Sequence, residues 1–296
     1  MKQAWWLAAF LICWCCAGFA LFSGREISST DDAQAGANRI ISLAPNITEI
    51  LYALGIEDKI VGLTLDCDYP PEAGAKVKVG TFWQPNIEAI IALRPELVIT
   101  LDFERQKDMA ARLKRIGYNC LTVAIESTGD LFKAIETIGA TTERLDQANI
   151  LTDNMQTELD TIAAHVAGLE SIKVLWVVQR EPLRVAGRKT FINEIIELAG
   201  GENAIGSTLH QYPAIGAEQV IASKAQVIIE PAMEQTDLTK QHESAIRYWS
   251  RFKNLPAVAG NHIYVIDGDT VSRLSPRLGK GVQTVASCLR PGLHEN

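Results

Sequence analysis

The sequence predicts an α/β fold made of two Rossmann-like lobes joined by a single long α-helix. Three observations predict it. Short β-branched apolar runs alternate with helix-length segments over residues 39–142, the pattern of βα units that builds a mostly parallel sheet. The same alternation restarts at residue 171. Between the two, residues 143–169 contain no proline, and their one glycine, Gly168, lies near the end.

Taken in order, residues 39–43 (RIISL) form a buried strand, stopped by Pro45-Asn46. Thr48 is placed to cap a short helix ending at Gly55. A strand over 60–65 leads into the turn Cys67-Asp68-Tyr69-Pro70-Pro71. The segment Thr81-Phe82-Trp83 precedes a helix from Asn86 and a strand over 97–101. Residues 103–117 read as an amphipathic helix with Met109, Leu113 and Ile116 on one side. A strand over 120–124 and a helix over 131–138 complete the first lobe. In 143–169, Leu145, Ile150 or Leu151, Met155, Leu159, Ile162 and Val166 recur at helical spacing. That is a helix of about 24 residues, roughly 36 Å long, more than one small sheet needs; it reads as a connection between two lobes or, alternatively, as an ordinary crossover helix in a single domain. In the second half, strands are expected at 173–178, 226–230 and 262–266. Helices are expected at 190–199, ended by Gly200-Gly201, and from Leu278. Residues 182–189 and 208–213 are the loops expected to face the first lobe; Trp176 reads as core and Trp249 as a packing residue on a helix.

The chain has 296 residues, is 47% hydrophobic and 21% charged, and carries a formal net charge of -7. That balance argues against a nucleic-acid partner, which favours a basic patch. Residues 4–22 form an apolar run behind Lys2 and read as an export signal or a membrane anchor. The segments are therefore 1–24 signal peptide or anchor, 25–38 linker, 39–142 first lobe, 143–170 connecting helix and 171–296 second lobe. Cys13, Cys15 and Cys16 invite a lipoprotein reading, but bulky residues precede each of them. Beyond this leader only Cys67, Cys120 and Cys288 remain, an odd number that leaves one disulfide possible and unchosen, or buried and half-buried thiols.

Catalytic signatures are sparse. There is no GxSxG elbow and no GxGxxG after a strand. Gly187-Arg-Lys-Thr190 mimics the end of a phosphate-binding loop but lacks the earlier glycine, where Pro182 stands. The five histidines are scattered without an i, i+4 partner, so no metal site is expected. No resident cofactor is expected either. The aromatics Tyr69, Phe82, Trp83 and Tyr212 lie in or beside loops, where flat rings can wall a wide apolar ligand.

Several stretches carry a family resemblance: RIISLAPNITEILYALG, DYPPEA, PNIEAIIALRPELVI, ELAGGENAIG, AEQVIASKAQVIIEP and DTVSRLSPRL. In this order and spacing, over residues 39–278, the chain resembles the periplasmic solute-binding proteins of ABC importers for cobalamin, ferric siderophores and haem. The CDYPPEA turn most resembles the cobalamin-binding branch. The resemblance implies a non-enzymatic, monomeric receptor in the periplasm or another extracytoplasmic space, released or held by its N-terminal segment. It would carry a corrinoid such as cobalamin between the lobes to an inner-membrane ABC permease. A stiff connecting helix would limit closure to a few degrees. Tyr69, Phe82 and Tyr212 match aromatic pocket positions, Trp83 is the neighbouring alternative to Phe82, and Asp269 and Arg273 match polar ligand contacts. Glu88 and Glu218 match exposed glutamates that dock into arginine pockets of the permease. The chain departs from the pattern at Arg184, where the cobalamin-binding branch has a pocket aromatic, at Leu101, another aromatic position, and at Ala199, where a disulfide cysteine is missing. A cation at Arg184 favours an anionic ligand such as a ferric siderophore or haem. Rivals of another class are an exported α/β hydrolase and an anchored protein whose cleft takes a protein partner.

Overall fold

The computed structural model describes residues 36–232 and 237–292; the apolar segment 4–22 lies outside them. Two mostly parallel sheets, each covered on both faces, make the two lobes.

The first sheet has the order β2-β1-β3-β4, all parallel: β1 (Ile40–Ser42), β2 (Ile60–Leu63), β3 (Leu97–Leu101) and β4 (Cys120–Val123). Helix α1 (Pro45–Ala53) starts with proline at its first position, where no N–H is needed, and stops at Gly55, whose φ of +67° suits glycine. Thr48 therefore sits inside the first turn rather than capping it. Its hydroxyl donates to Ser42 Oγ or to the Ala44 carbonyl. Helix α2 (Ile87–Ala92) is capped by Asn86, whose Oδ1 accepts from the Glu88 and Ala89 N–H groups. Helix α3 (Glu104–Arg115) stops short of Ile116, which is exposed rather than on the apolar face. Helix α4 (Thr128–Thr141) starts three residues earlier than the apolar pattern suggests, because Ser127 caps it through the Asp130 N–H. Helix α5 (Leu145–Val166) follows almost at once, and 22 residues make it about 33 Å long. Met155, Leu159, Ile162 and Val166 are buried, as the periodicity predicts, whereas Leu145 and Ile150 are exposed.

The second sheet runs β6-β5-β8-β9, with β7 also on β5. It comprises β5 (Ile172–Arg180), β6 (Leu183–Val185), β7 (Gly201–Asn203), β8 (Val227–Ala232) and β9 (Ile263–Asp267). Only β6 is antiparallel. Its hairpin takes up part of the loop expected over 182–189, because leucine, arginine and valine can pair back onto the long end of β5. Helices α6 (Phe191–Leu198), α7 (Ala217–Ser223), α8 (Leu238–Trp249), α9 (Pro256–Ala259), α10 (Gly268–Val271) and α11 (Leu278–Leu289) complete the lobe.

Alternation along the strands divides the core. Ile40, Leu97 and Ile99 point into one cluster, Ile41, Leu43 and Val98 into another. In the second sheet Val174, Trp176, Val227 and Ile229 join the first of these clusters, while Leu175, Val177 and Ile228 face a separate one. The shared cluster includes Met155, Leu159 and Ile162 of α5. One continuous apolar core therefore runs from lobe to lobe through α5.

Candidate functional site

Open α/β sheets present ligand sites at the C-terminal ends of their strands. In the first sheet the segments leaving those ends carry, in sheet order, Asp68 and Tyr69 after β2, Glu49 after β1, Phe103 after β3 and Thr128 after β4. In the second they carry Arg184 on β6, Tyr212 after β7, and Asp269, Arg273 and Arg277 after β9. The two sets of ends meet, because side chains from one lobe bond to the other.

Next to Phe103 the fold builds a cluster of three rings. Phe82 and Trp83 pack edge to face at 4.9 Å between centroids, and Phe103 lies 5.3 Å from Phe82 and 5.8 Å from Trp83. Phe82 is half-buried, and Trp83 is 63% exposed. The Phe82 backbone is held at both polar groups. Its N–H donates to Asp66 Oδ2 at 2.6 Å, and its carbonyl accepts from Gln106 Nε2 at 3.3 Å. Gln106 is fully buried; its Nε2 also donates to the Leu43 carbonyl at 2.8 Å, and its Oε1 accepts from the Leu101 N–H at 2.7 Å. This one amide ties the ends of β1 and β3 to the ring-bearing loop. Leu101 lacks a ring, and Phe103 supplies one two residues on.

Across from the first lobe, Arg184 is exposed, and its Nη1 donates to the Tyr212 carbonyl at 3.2 Å. Tyr212 packs against the shared core, and burial pushes its phenol pKa up. Arg184 also bridges to Ala214, so the hairpin carries the Tyr212 loop.

The polar candidates belong to an ion-pair chain that spans the lobes. Arg273 Nη1 meets Asp68 Oδ1 at 2.7 Å, and its Nη2 meets Asp269 Oδ1 at 2.7 Å. Arg277 reaches Asp269 Oδ2 at 3.1 Å and holds Glu49 through two bonds of 2.6 and 2.8 Å. Its guanidinium also lies 3.9 Å from the centroid of the Tyr69 ring. Tyr69 is thus covered on one face from the other lobe, although 41% of it remains exposed. Burial disfavours the charged forms of Arg273 and Arg277, but hydrogen bonds and charge from Asp68, Glu49 and Asp269 outweigh it and hold both pKa values above the ordinary range. Burial likewise raises the Asp68 pKa, and Arg273 more than reverses that, holding the carboxyl below its ordinary value.

A second bridge lies at the far side of the first sheet. Glu194 on α6 accepts from the Thr128 N–H at 2.8 Å, at the N-terminus of α4. A cavity of about 650 Å³ opens beside it, lined by Thr128, Gln156, Leu159, Ala163 and Glu194. None of the seven ligand candidates lines this cavity, and it lies away from the rings.

Glu88 and Glu218 occupy matching places. Each is exposed and is the second residue of a short helix, α2 in one lobe and α7 in the other. Cys67, near the turn, has its Sγ 3.1 Å from Thr64 Oγ1, and burial pushes its thiol pKa up, which disfavours a nucleophilic thiolate. Cys67, Cys120 and Cys288 are all unpaired. Among the described residues no helix is long and apolar enough to cross a membrane.

A family model for periplasmic binding proteins matches residues 40–270. The chain belongs to this periplasmic binding protein family. Among its relatives, a vitamin B12-binding protein of Vibrio parahaemolyticus is 29% identical over 84% of this chain and 88% of its own length. The crystal structure of the periplasmic vitamin B12 binding protein of Vibrio cholerae superposes with a TM-score of 0.73 at 26% identity, covering 86% of this chain and 97% of that one. A possible iron-binding periplasmic solute-binding protein of Staphylococcus epidermidis gives 0.76 at 27% identity, covering 86% and 99%. These likenesses agree with the two-lobe α/β architecture expected of a family member.

Proposed function

We propose that this periplasmic binding protein is the substrate-binding component of an ABC importer. It captures cobalamin or another corrinoid between its lobes and hands it to an inner-membrane permease. The observation that carries the reading is the exposed Trp83 ring, backed by Phe82 and by Phe103, which follows the C-terminal end of β3. A corrin is wide, flat and largely apolar, and stacked rings offer it area at little entropic cost. In this reading Tyr69, Phe82 and Trp83 form the wall of the first lobe, Tyr212 and Arg184 that of the second, and Asp269 and Arg273 orient polar ligand groups. Glu88 and Glu218 dock the two lobes onto the permease, where charge pairing steers encounter and fixes register. The chain acts as a monomer outside the cytoplasm, with residues 1–24 directing export or anchoring it, 39–142 and 171–296 as the lobes and 143–170 as the connecting helix. It is not an enzyme and holds no resident cofactor.

Arg184 favours a second reading with the same role and another ligand. Its guanidinium is exposed, and its partner is a backbone carbonyl rather than a carboxylate, so it suits an anionic group on a ferric siderophore or haem. A visible absorption spectrum of the protein isolated with its ligand separates the two. Corrinoid bands support the first reading, and haem or ferric–siderophore bands overturn it in favour of the second.

A further inference from the structure

The ring cluster is bracketed. In sheet order β2-β1-β3-β4, the rings lie at β3, the pair Glu49–Arg277 joins the lobes at β1, and Glu194 with Thr128 joins them at β4. The Glu49–Arg277 pair is the more deeply enclosed bridge. The Glu49 side chain is 3% exposed and that of Arg277 is 14% exposed. A bidentate carboxylate–guanidinium contact fixes both distance and orientation between its two supports. Those supports are α1 of one lobe and the segment joining α10 to α11 of the other, separated by 228 residues of sequence. Asp269 holds Arg277 from its own lobe, so the guanidinium cannot swing away without breaking a second contact. Neither residue is assigned to the ligand wall, although the Arg277 guanidinium lies against Tyr69 and Asp269.

We infer that Glu49 and Arg277 are positioning residues: their pair sets the spacing of the two lobes and thereby the width of the ligand slot. The slot is held at its working width before ligand arrives, so binding does not have to pay for ordering the lobes. The assignment of the slot rests on the function proposed above, whereas the spacing role does not.

The test places fluorophores on keto-amino acids introduced at the exposed positions Ala111 and Ala222, one per lobe, in the full chain in detergent. Single-molecule energy transfer without ligand then reports the inter-lobe distance. The parent should give one narrow distribution. Arg277→Met and Glu49→Gln should each broaden it, and the double variant should broaden it no further. Arg277→Lys keeps the charge but loses the fork, and carries the test if the methionine variant does not fold. With cyanocobalamin as probe, dissociation should accelerate about tenfold in each single variant while association changes little. Folded single variants whose distance distribution matches the parent overturn the inference, as do additive effects in the double variant. If the parent does not bind cyanocobalamin, the corrinoid reading fails and the ligand-free distances still decide the clasp.

Discussion

Glu49 is 4% exposed, nearly as enclosed as the isoleucines beside it, yet it is a carboxylate with both oxygens held by Arg277. Removing one member of such a buried pair leaves the other charge short of a partner. Glu49→Ala should therefore cost about 3 kcal/mol of stability by urea unfolding, at the low end for buried pairs because Asp269 still faces Arg277. Gln106→Leu should cost about 1–3 kcal/mol by the same measurement, because the Leu43 carbonyl and Leu101 N–H lose their buried partner. It should also loosen Phe82 and change the Trp83 emission. Asp68 adds a pH dependence with a definite sign. Its folded pKa lies below the ordinary carboxylate value, so its stabilisation is present above that ordinary value and is lost as pH falls through the lower folded pKa. Asp68→Asn should flatten the acid end of a plot of Tm against pH below about 4, modestly, since the side chain is 58% exposed. The sequence contained a signal for Gln106: it falls on the apolar stripe of α3 with Ala110 and Leu113, where a polar residue needs partners. Glu49 offered no such signal. It lies off the apolar spacing of Ile47, Ile50, Leu51 and Leu54, a position that reads as solvated until another lobe covers it. Asp269 and Arg273 were expected as polar ligand contacts only through resemblance, and the pairing of Arg273 with Asp68 comes from a contact 205 residues away in sequence.

Helix ends decide where several of these side chains point. Asn86 accepts from the Glu88 and Ala89 N–H groups, so Asn86→Ala should cost about 1 kcal/mol and leave Glu88 on a frayed first turn. The turn between α4 and α5 is tighter than any loop the pattern suggested. A Cβ on Gly139 would stand 2.5 Å from Ala148 Cβ and 2.9 Å from the Arg144 carbonyl oxygen. Gly139→Ala should therefore destabilise by about 1–3 kcal/mol in thermal or urea unfolding, since backbone must move to admit it. The long helix was legible because its apolar residues recur over many turns, which propensity and periodicity both register. The three-residue strands β6 and β7 were not, because so few residues set no period and both depend on β5 as a partner. Phe103 was read as a helix residue, and at the N-terminal boundary of α3 its ring is free to pack on Phe82 instead.

At the scale of the molecule, a core continuous through α5 and ionic bridges between the strand ends favour lobes that move little. Affinity then comes from a slot formed in advance rather than from closure. If Glu88 and Glu218 dock the lobes, Glu88→Lys with Glu218→Lys should abolish uptake in cells while leaving ligand affinity in solution unchanged; normal uptake by the double variant would remove the docking role. The fold was legible from alternating strands and helices, whereas the pairing of the lobes depends on contacts that no local pattern encodes. The most direct measurement is titration of the protein with cyanocobalamin, followed by tryptophan emission, which the exposed Trp83 makes sensitive to the slot. The account predicts saturation of one site at sub-micromolar concentration, about -8 kcal/mol or stronger, lost on Trp83→Ala with Phe82→Ala. No saturable quenching, or saturation unaffected by removing those rings, would contradict it.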